Sequence, residues 1–229
     1  MEQDRKLDDK QKLFEKIPME GVKHIIVVAS GKGGVGKSTV AGNLAAALAR
    51  EGLNTALVDA DIFGPSIPKM FGIENEKPGV ATFGDKEVLF PITKYGVKIM
   101  SIGFFIDPSQ SLIWRGPMAA KALTQLFGDT DWGEIDYMIV DFPPGTSDIQ
   151  LTTVQKLKLS GALIVTTPQE ISLNDARKAA SMFTTPDLEV PILGVIENMS
   201  WFSPAKHPDE IYYIFGKGGG LQLAKEYDT

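Results

Sequence analysis

Short apolar runs alternate along this chain with longer stretches in which apolar residues recur every three or four positions. His24-Ile25-Ile26-Val27-Val28-Ala29 is almost continuously apolar, the pattern of a strand buried on both faces. From residue 38 to about 51, Val40, Leu44 and Leu48 recur every four residues among several alanines, and Gly52 is placed to end the helix this spacing predicts. Thr55-Ala56-Leu57-Val58 and Tyr137-Met138-Ile139-Val140-Asp141 repeat the buried-strand pattern, and residues 97–102, 162–166 and 192–196 add further strands. Helices are predicted over 117–127, 148–159 and 172–183, and Leu221, Leu223 and Ala224 begin another whose packing partners are absent. Between 69 and 96 the pattern loosens. Gly72, Pro78, Gly79, Gly84 and Pro91 punctuate short runs such as Glu87-Val88-Leu89-Phe90, which predicts a loop with a small hairpin beside the main sheet. This alternation predicts an α/β fold with a doubly wound, mainly parallel sheet flanked by helices.

The junction between the first strand and the first helix carries the strongest chemical signal. Gly31-Lys32-Gly33-Gly34-Val35-Gly36-Lys37-Ser38 matches the phosphate-loop pattern G-x-x-x-x-G-K-[ST], in the strand-loop-helix order that such a loop requires. Glycine lets the N–H groups of Gly33, Gly34, Val35 and Gly36 turn inward around phosphates, and the following helix dipole adds positive potential. Lys37 then neutralises the β- and γ-phosphates, Ser38 offers its hydroxyl to Mg²⁺, and Thr39 reaches the α-phosphate.

Two acidic elements follow. Asp59-Ala60-Asp61-Ile62-Phe63-Gly64-Pro65-Ser66 leaves the second strand, where carboxylates at a parallel strand's C-terminal end face the ligand crevice. Aspartates in such places also cap turns and helices. Asp141 ends a later strand and can hold a Mg²⁺-bound water, while Gly145, in a loop stiffened by Pro143 and Pro144, can present its N–H to a γ-phosphate. Gain or loss of that phosphate would move the loop.

With its second lysine, the stretch from Gly31 to Thr39 resembles the deviant Walker A loop of the ATPases that include nitrogenase iron protein, ParA, MinD and the Mrp/ApbC carriers. In that branch, of SIMIBI type, the resemblance implies that Lys32 crosses a nucleotide-sandwiched homodimer to reach the partner's ATP, as an arginine finger does. A solvated loop lysine is the plainer alternative. The same resemblance makes Asp61 the residue that orients or deprotonates the attacking water, with Asp59 supporting the Mg²⁺ shell. Asp-Ile-Phe-Gly-Pro-Ser-Ile-Pro at 61–68, Trp-Arg-Gly-Pro-Met at 114–118, Asp-Phe-Pro-Pro-Gly-Thr-Ser-Asp at 141–148, Thr-Thr-Pro-Gln at 166–169 and Glu-Asn-Met-Ser at 197–200 narrow the likeness to Mrp/ApbC iron–sulfur cluster carriers. It runs from about 22 to 224. Asn198 then falls where this family contacts adenine, although an asparagine also forms turns. Trp114 and Arg115 suit a dimer or client surface, or ordinary stacking of an aromatic under an arginine stem, and no catalytic role follows for either.

The chain departs from that family where the cluster is held. Many members carry Cys-x-x-Cys shortly after Glu-Asn-Met-Ser, whereas here the stretch is Trp201-Phe202-Ser203-Pro204-Ala205-Lys206-His207-Pro208-Asp209-Glu210, and the sequence has no cysteine. A thiolate-held cluster is therefore not expected from these residues alone. His207, Asp209 and Glu210 suit a solvated loop better than a metal site. Relative to the family, the domain at 22–229 is expected to be C-terminally truncated, behind a charged leader at 1–21.

The 229 residues, 43% of them hydrophobic, suffice for one well-buried domain. A net charge of −6 without a Lys/Arg cluster offers no footprint for nucleic acid or membrane, and no apolar run reaches transmembrane length. The leader resembles neither a signal nor a transit peptide, which makes the cytoplasm the expected compartment. The expectation is a slow, Mg²⁺- and ATP-dependent homodimeric ATPase that serves iron–sulfur client or assembly proteins. The alternatives are a nucleotide-gated scaffold with little hydrolysis and a ParA/MinD-type positioning ATPase.

Overall fold

The computed structural model describes residues 16–84, 86–105, 116–146, 148–186 and 188–229. Its strands are β1 (Val22–Ala29), β2 (Thr55–Asp59), β3 (Gly79–Phe83), β4 (Lys86–Phe90), β5 (Ile92–Lys94), β6 (Val97–Ser101), β7 (Ile135–Asp141), β8 (Gly161–Thr166) and β9 (Ile192–Glu197). The helices are α1 (Lys37–Arg50), α2 (Ile67–Phe71), α3 (Gly116–Gly128), α4 (Asp148–Lys156), α5 (Glu170–Phe183) and α6 (Gly219–Glu226), with a 3₁₀ turn at Ile102–Phe105.

Seven strands form one sheet in the order β5-β6-β2-β7-β1-β8-β9. All pairings are parallel except β5 with β6. Parallel strands need crossovers, and the helices that supply them cover both faces. Successive side chains of a strand point to opposite faces, which splits the apolar run of β1 between two cores. Val27 and Ala29 join Leu123, Val154, Leu173, Ala176 and Phe183 from α3, α4 and α5 on one side. Val28 joins Ala41 and Ala45 of α1 and Ile67 and Phe71 of α2 on the other.

The expected hairpin is the antiparallel β3–β4 pair, with Gly79 opposite Phe90. It meets the rest of the chain through Leu89, whose N–H donates to the Asp129 carbonyl at 2.8 Å. Two regular elements were not predicted: α2, which overlaps the start of the region expected to be loop and has a proline in its first turn, and β5, an antiparallel edge strand inside that region. Both are too short to show a periodicity, and both owe their order to burial of Phe71, Ile67 and Ile92. The helix predicted to end at 159 stops at Lys156.

One expectation is corrected at the chain's end. The helix begun by Leu221 and Leu223 does not lack packing partners, because Leu223 is fully buried against the core that contains Leu173 and Ala176. Arg177 of α5 also holds Glu226 through two nitrogens at 2.8 and 2.9 Å. Leu221 stays exposed. Among the described residues no helix is long and apolar enough to cross a membrane. The leader up to residue 15, and Trp114 and Arg115, lie outside the described residues.

Burial of Leu223 sets a measurable cost. Leu223→Ala is expected to lower the unfolding free energy by about 2–5 kcal/mol in urea titrations, whereas Leu221→Ala changes it by less than about 0.5 kcal/mol. Equal small effects would show that α6 is not part of the core.

Candidate functional site

Register brings the acidic strand ends together. Asp59 pairs with Asp141 across β2 and β7, and Val28 pairs with Asp141 across β1 and β7, so both carboxylates stand beside the start of the glycine loop. The chain leaves β1 for α1 at the point where the sheet's connections diverge to either side, the crevice in which open parallel sheets bind ligands.

The glycine loop is clamped from behind and open in front. A Cβ on Gly31 would lie 2.0 Å from the Asp175 carbonyl carbon of α5, and one on Gly36 would lie 2.2 Å from Asn198 Nδ2. Around Gly33 and Gly34 a Cβ would meet nothing within 4 Å. Gly34 (φ 81°) and Gly36 (φ 92°) take the left-handed conformation that turns the loop into α1. The N–H groups of Gly33, Gly34, Val35 and Gly36 find no backbone acceptor among the described residues. Val35 is buried and anchors the loop. Free N–H groups around an open hollow, at a helix N-terminus, make an anion cradle.

Lys37 is buried at the centre. Its Nζ lies 2.6 Å from Asp141 Oδ1 and 3.7 Å from Asp61 Oδ2, and 3.4 Å from the Ser38 hydroxyl. Asp141 is fully buried, and among the described residues its Oδ2 has no hydrogen-bond partner. Burial pushes the Asp141 carboxyl above its ordinary range even though Lys37 pulls the other way. Asp59, also fully buried, is pushed up to about 7 by burial and then by the Asp141 charge. The cluster therefore carries more carboxylate than its lysine balances. The free Asp141 oxygen beside the Ser38 hydroxyl suits a hard cation such as Mg²⁺. Yet no three His, Asp or Glu side chains converge as a ready-made cage among the described residues. That fits an ion that keeps its waters and takes phosphate oxygens as further ligands.

Three of the expected site residues already have hydrogen-bond partners within the chain. Asp59 Oδ1 accepts the Asp61 N–H at 3.2 Å, and its Oδ2 accepts both the Ile67 N–H and the Ser101 hydroxyl at 3.1 Å. Its oxygens thus shape the turn after β2. The Gly145 N–H donates to the Ser30 carbonyl at 3.0 Å, so it is not offered to the hollow in this conformation. Asn198 spends one amide hydrogen on the Val35 carbonyl at 2.8 Å, supporting the loop from outside. Asp61 accepts the Gly64 N–H at 3.2 Å. Thr39 lies exposed on the first turn of α1.

Lys32 is held within its own chain, its Nζ 3.4 Å from Gln169 Oε1 at the start of α5. Sequence reasoning marked Thr166-Thr167-Pro168-Gln169 without assigning Gln169 this contact, and it overlooked Ser101, which bridges Asp59 and the Gly103 N–H. Ser101 carries no local pattern, and the motif that contains Gln169 does not name its partner. The His207 ring lies 3.5 Å from the exposed Glu210 carboxylate. A cavity of about 230 Å³ near Leu89, Ile102, Phe105 and Leu126 includes none of the phosphate-loop residues.

The buried pair predicts a coupled response. The folded state holds the Asp141 proton to higher pH than the unfolded chain does, so stability falls as pH rises between those two pKa values. Lys37→Ala widens that window and, without nucleotide, is expected to cost about 3–5 kcal/mol at neutral pH, shrinking toward pH 4. Adding Asp141→Asn should recover part of the loss in urea titrations. A double-mutant cycle with no coupling would refute the pairing.

Residues 21–229 match the family described as ParA: NUBPL iron-transfer P-loop NTPase. The iron-sulfur cluster carrier protein of Aquifex aeolicus is 49% identical over 218 residues, covering 95% of this chain and 58% of that protein. The carrier of the same name from Escherichia coli is 49% identical over 213 residues, covering 92% and 56%. The chain thus spans little more than half the length of these relatives. A nucleotide-binding protein from Archaeoglobus fulgidus, solved in complex with ADP, superposes with a TM-score of 0.77 at 38% identity, over 92% of this chain and 80% of that one. MinD from Pyrococcus horikoshii, solved with Mg-ADP, shares the fold with a TM-score of 0.51 at 24% identity, over 77% and 70% of the two chains.

Proposed function

Because this chain belongs to the family of NUBPL iron-transfer P-loop NTPases, we propose that it binds ATP with Mg²⁺ in the loop at 31–39, hydrolyses it slowly as a homodimer, and uses that cycle to load or release an iron–sulfur cluster on client proteins. The observation that carries this reading is the open cradle of free N–H groups closed at one end by buried Lys37. Such a cradle is complementary to a polyphosphate and to little else.

The residues divide the work. Gly33, Gly34, Val35 and Gly36 donate N–H groups to the phosphates, and Lys37 leaves Asp141 to neutralise the β- and γ-phosphates. Thr39 adds a hydroxyl near the α-phosphate. Ser38 and Asp141 would hold Mg²⁺, whose chemistry is to neutralise charge on the phosphate oxygens. Asp61, already beside Lys37, orients or deprotonates the attacking water, and Asp59 fixes the turn that carries it. Asn198 keeps its amide oxygen for the adenine edge while its nitrogen supports Val35. Gly145 gives up the Ser30 carbonyl when a γ-phosphate competes for its N–H, which makes the loop after β7 a nucleotide sensor. Lys32 leaves Gln169 to reach the partner's nucleotide. The protein works in the cytoplasm.

The relatives' name, iron-sulfur cluster carrier protein, supports the cargo. A nucleotide-gated scaffold with little hydrolysis is the second reading, favoured by the resting contact of Lys32 within its own chain. A positioning role on DNA or membrane receives no support from a net charge of −6.

The two lysines are separable by experiment. Lys37→Ala is expected to abolish ATP binding in calorimetric titrations, while Lys32→Ala binds ATP nearly normally yet loses hydrolysis and ATP-dependent dimerisation. Mixing Lys32→Ala with Asp61→Asn protein restores one site per heterodimer if Lys32 acts across the interface. Heterodimers without any recovered turnover would exclude action in trans, and unaltered ATP affinity in Lys37→Ala would exclude the site itself.

The cargo is expected to need a ligand from outside these residues. The sequence has no cysteine and only two histidines, His24 and His207, and iron–sulfur clusters require thiolates with imidazole as an occasional substitute. Anaerobic reconstitution should leave no stable cluster after gel filtration without added thiol, and supplying a thiol-bearing client should retain iron and sulfide in stoichiometric amounts. Cluster retained by the chain alone would force a search for oxygen and nitrogen ligands.

A further inference from the structure

Residues 201–218 are exposed almost throughout and bury no core of their own. This lobe displays Trp201 (64% exposed), Phe202, Ile211, Tyr212, Tyr213, Ile214 (65%) and Phe215. Inside it, Phe202 and Tyr212 exchange a pair of backbone hydrogen bonds at 2.9 Å. An apolar excursion without its own core is placed by whatever closes its base.

One carboxylate closes it. Glu197, the last residue of β9, accepts the Gly220 N–H on Oε2 at 2.6 Å and the Gly218 N–H on Oε1 at 3.3 Å. Its carbonyl accepts the Ser200 hydroxyl at 3.0 Å on the entering side. Both ends of the lobe are therefore tied to a single residue. The glycines permit this approach, since a Cβ on Gly220 would lie 2.6 Å from Glu197 Cβ and one on Gly219 would lie 2.5 Å from Leu173 Cδ1. The contact is also electrostatically favourable, because a carboxylate meets the N-terminus of α6.

The neighbouring side chain reaches the opposite way. Asn198 donates its amide to the Val35 carbonyl at 2.8 Å, and its own N–H donates to the Thr166 carbonyl at 2.8 Å. Adjacent residues at one strand end thus hold the phosphate loop and the base of the lobe. We infer that Glu197 is a positioning residue that fixes the aromatic lobe relative to the phosphate loop, so that nucleotide in the loop is felt in the lobe. The nucleotide part rests on the function proposed above; the closure of the lobe by Glu197 does not.

Amide hydrogen exchange read by mass spectrometry on the full chain tests both parts. Without nucleotide, Glu197→Ala should speed exchange across 201–220 by about tenfold or more, with β1 and β7 unchanged, as loss of charge-assisted bonds predicts. Glu197→Gln, which keeps one acceptor, should fall between. With ADP or ATP, wild-type protein should slow exchange at both 31–39 and 201–220, whereas Glu197→Ala slows only 31–39. Wild-type exchange rates across 201–220 in Glu197→Ala would overturn the closure. Nucleotide protection of the lobe persisting in that variant would overturn the coupling. Absence of protection at 31–39 in wild-type protein would instead overturn the nucleotide site, and with it the coupling, while the nucleotide-free comparison still decides the closure.

Discussion

A carboxylate buried at the end of a parallel strand needs a counter-charge, hydrogen bonds or a proton, and in this chain Lys37 supplies the counter-charge to Asp141. The pairing of Asp59 with Asp141 follows from the register of β2 and β7, so it is imposed by the sheet itself. A buried pair of this kind is a poor source of stability, because desolvation cancels much of the attraction. Its value lies in being unsatisfied. Among the described residues Asp141 keeps one oxygen without a partner, and both Asp59 and Asp141 are pushed toward protonation. A site that starts short of positive charge gains most from a ligand that brings some with it.

The phosphate loop inherits its shape from the same constraint. It must hold Lys37 against Asp141 while leaving its N–H groups free, and it is fixed from behind for that purpose. Gly31 lies against the backbone of α5, and Gly36 lies against the amide of Asn198, so two glycines serve close packing while Gly33 and Gly34 keep the front open. Lys32 and Gly145 are satisfied by Gln169 and the Ser30 carbonyl. These two contacts describe a resting arrangement, and each must break before the residue can take the role proposed for it.

The family resemblance and the chemistry of this sequence agree on the phosphate loop and diverge where many such carriers place their cysteines. Iron-sulfur cluster carriers share about half of its residues across nearly the whole chain. The segment that follows Glu197-Asn198-Met199-Ser200 presents aromatic side chains and no thiolate.

Six of the seven strands of the main sheet, most of the covering helices and the phosphate loop were legible in the sequence because each is encoded within a short window. Burial on two faces makes β1 a continuous apolar run, and the glycine pattern is local to eight residues. The short elements α2 and β5 were not legible, since five and three residues carry no measurable period. Nor was the burial of Leu223, which depends on α5 passing beside α6. Candidate residues for the site could be named in advance, but their partners could not. Lys37 meets Asp141 across 104 positions, Asn198 meets Val35 across 163, and Glu197 meets a glycine run beyond a twenty-residue excursion. Such contacts are fixed by strand register and helix placement, which arise from the packing of the whole sheet, and so only the tertiary structure decided which groups are engaged and which are left free.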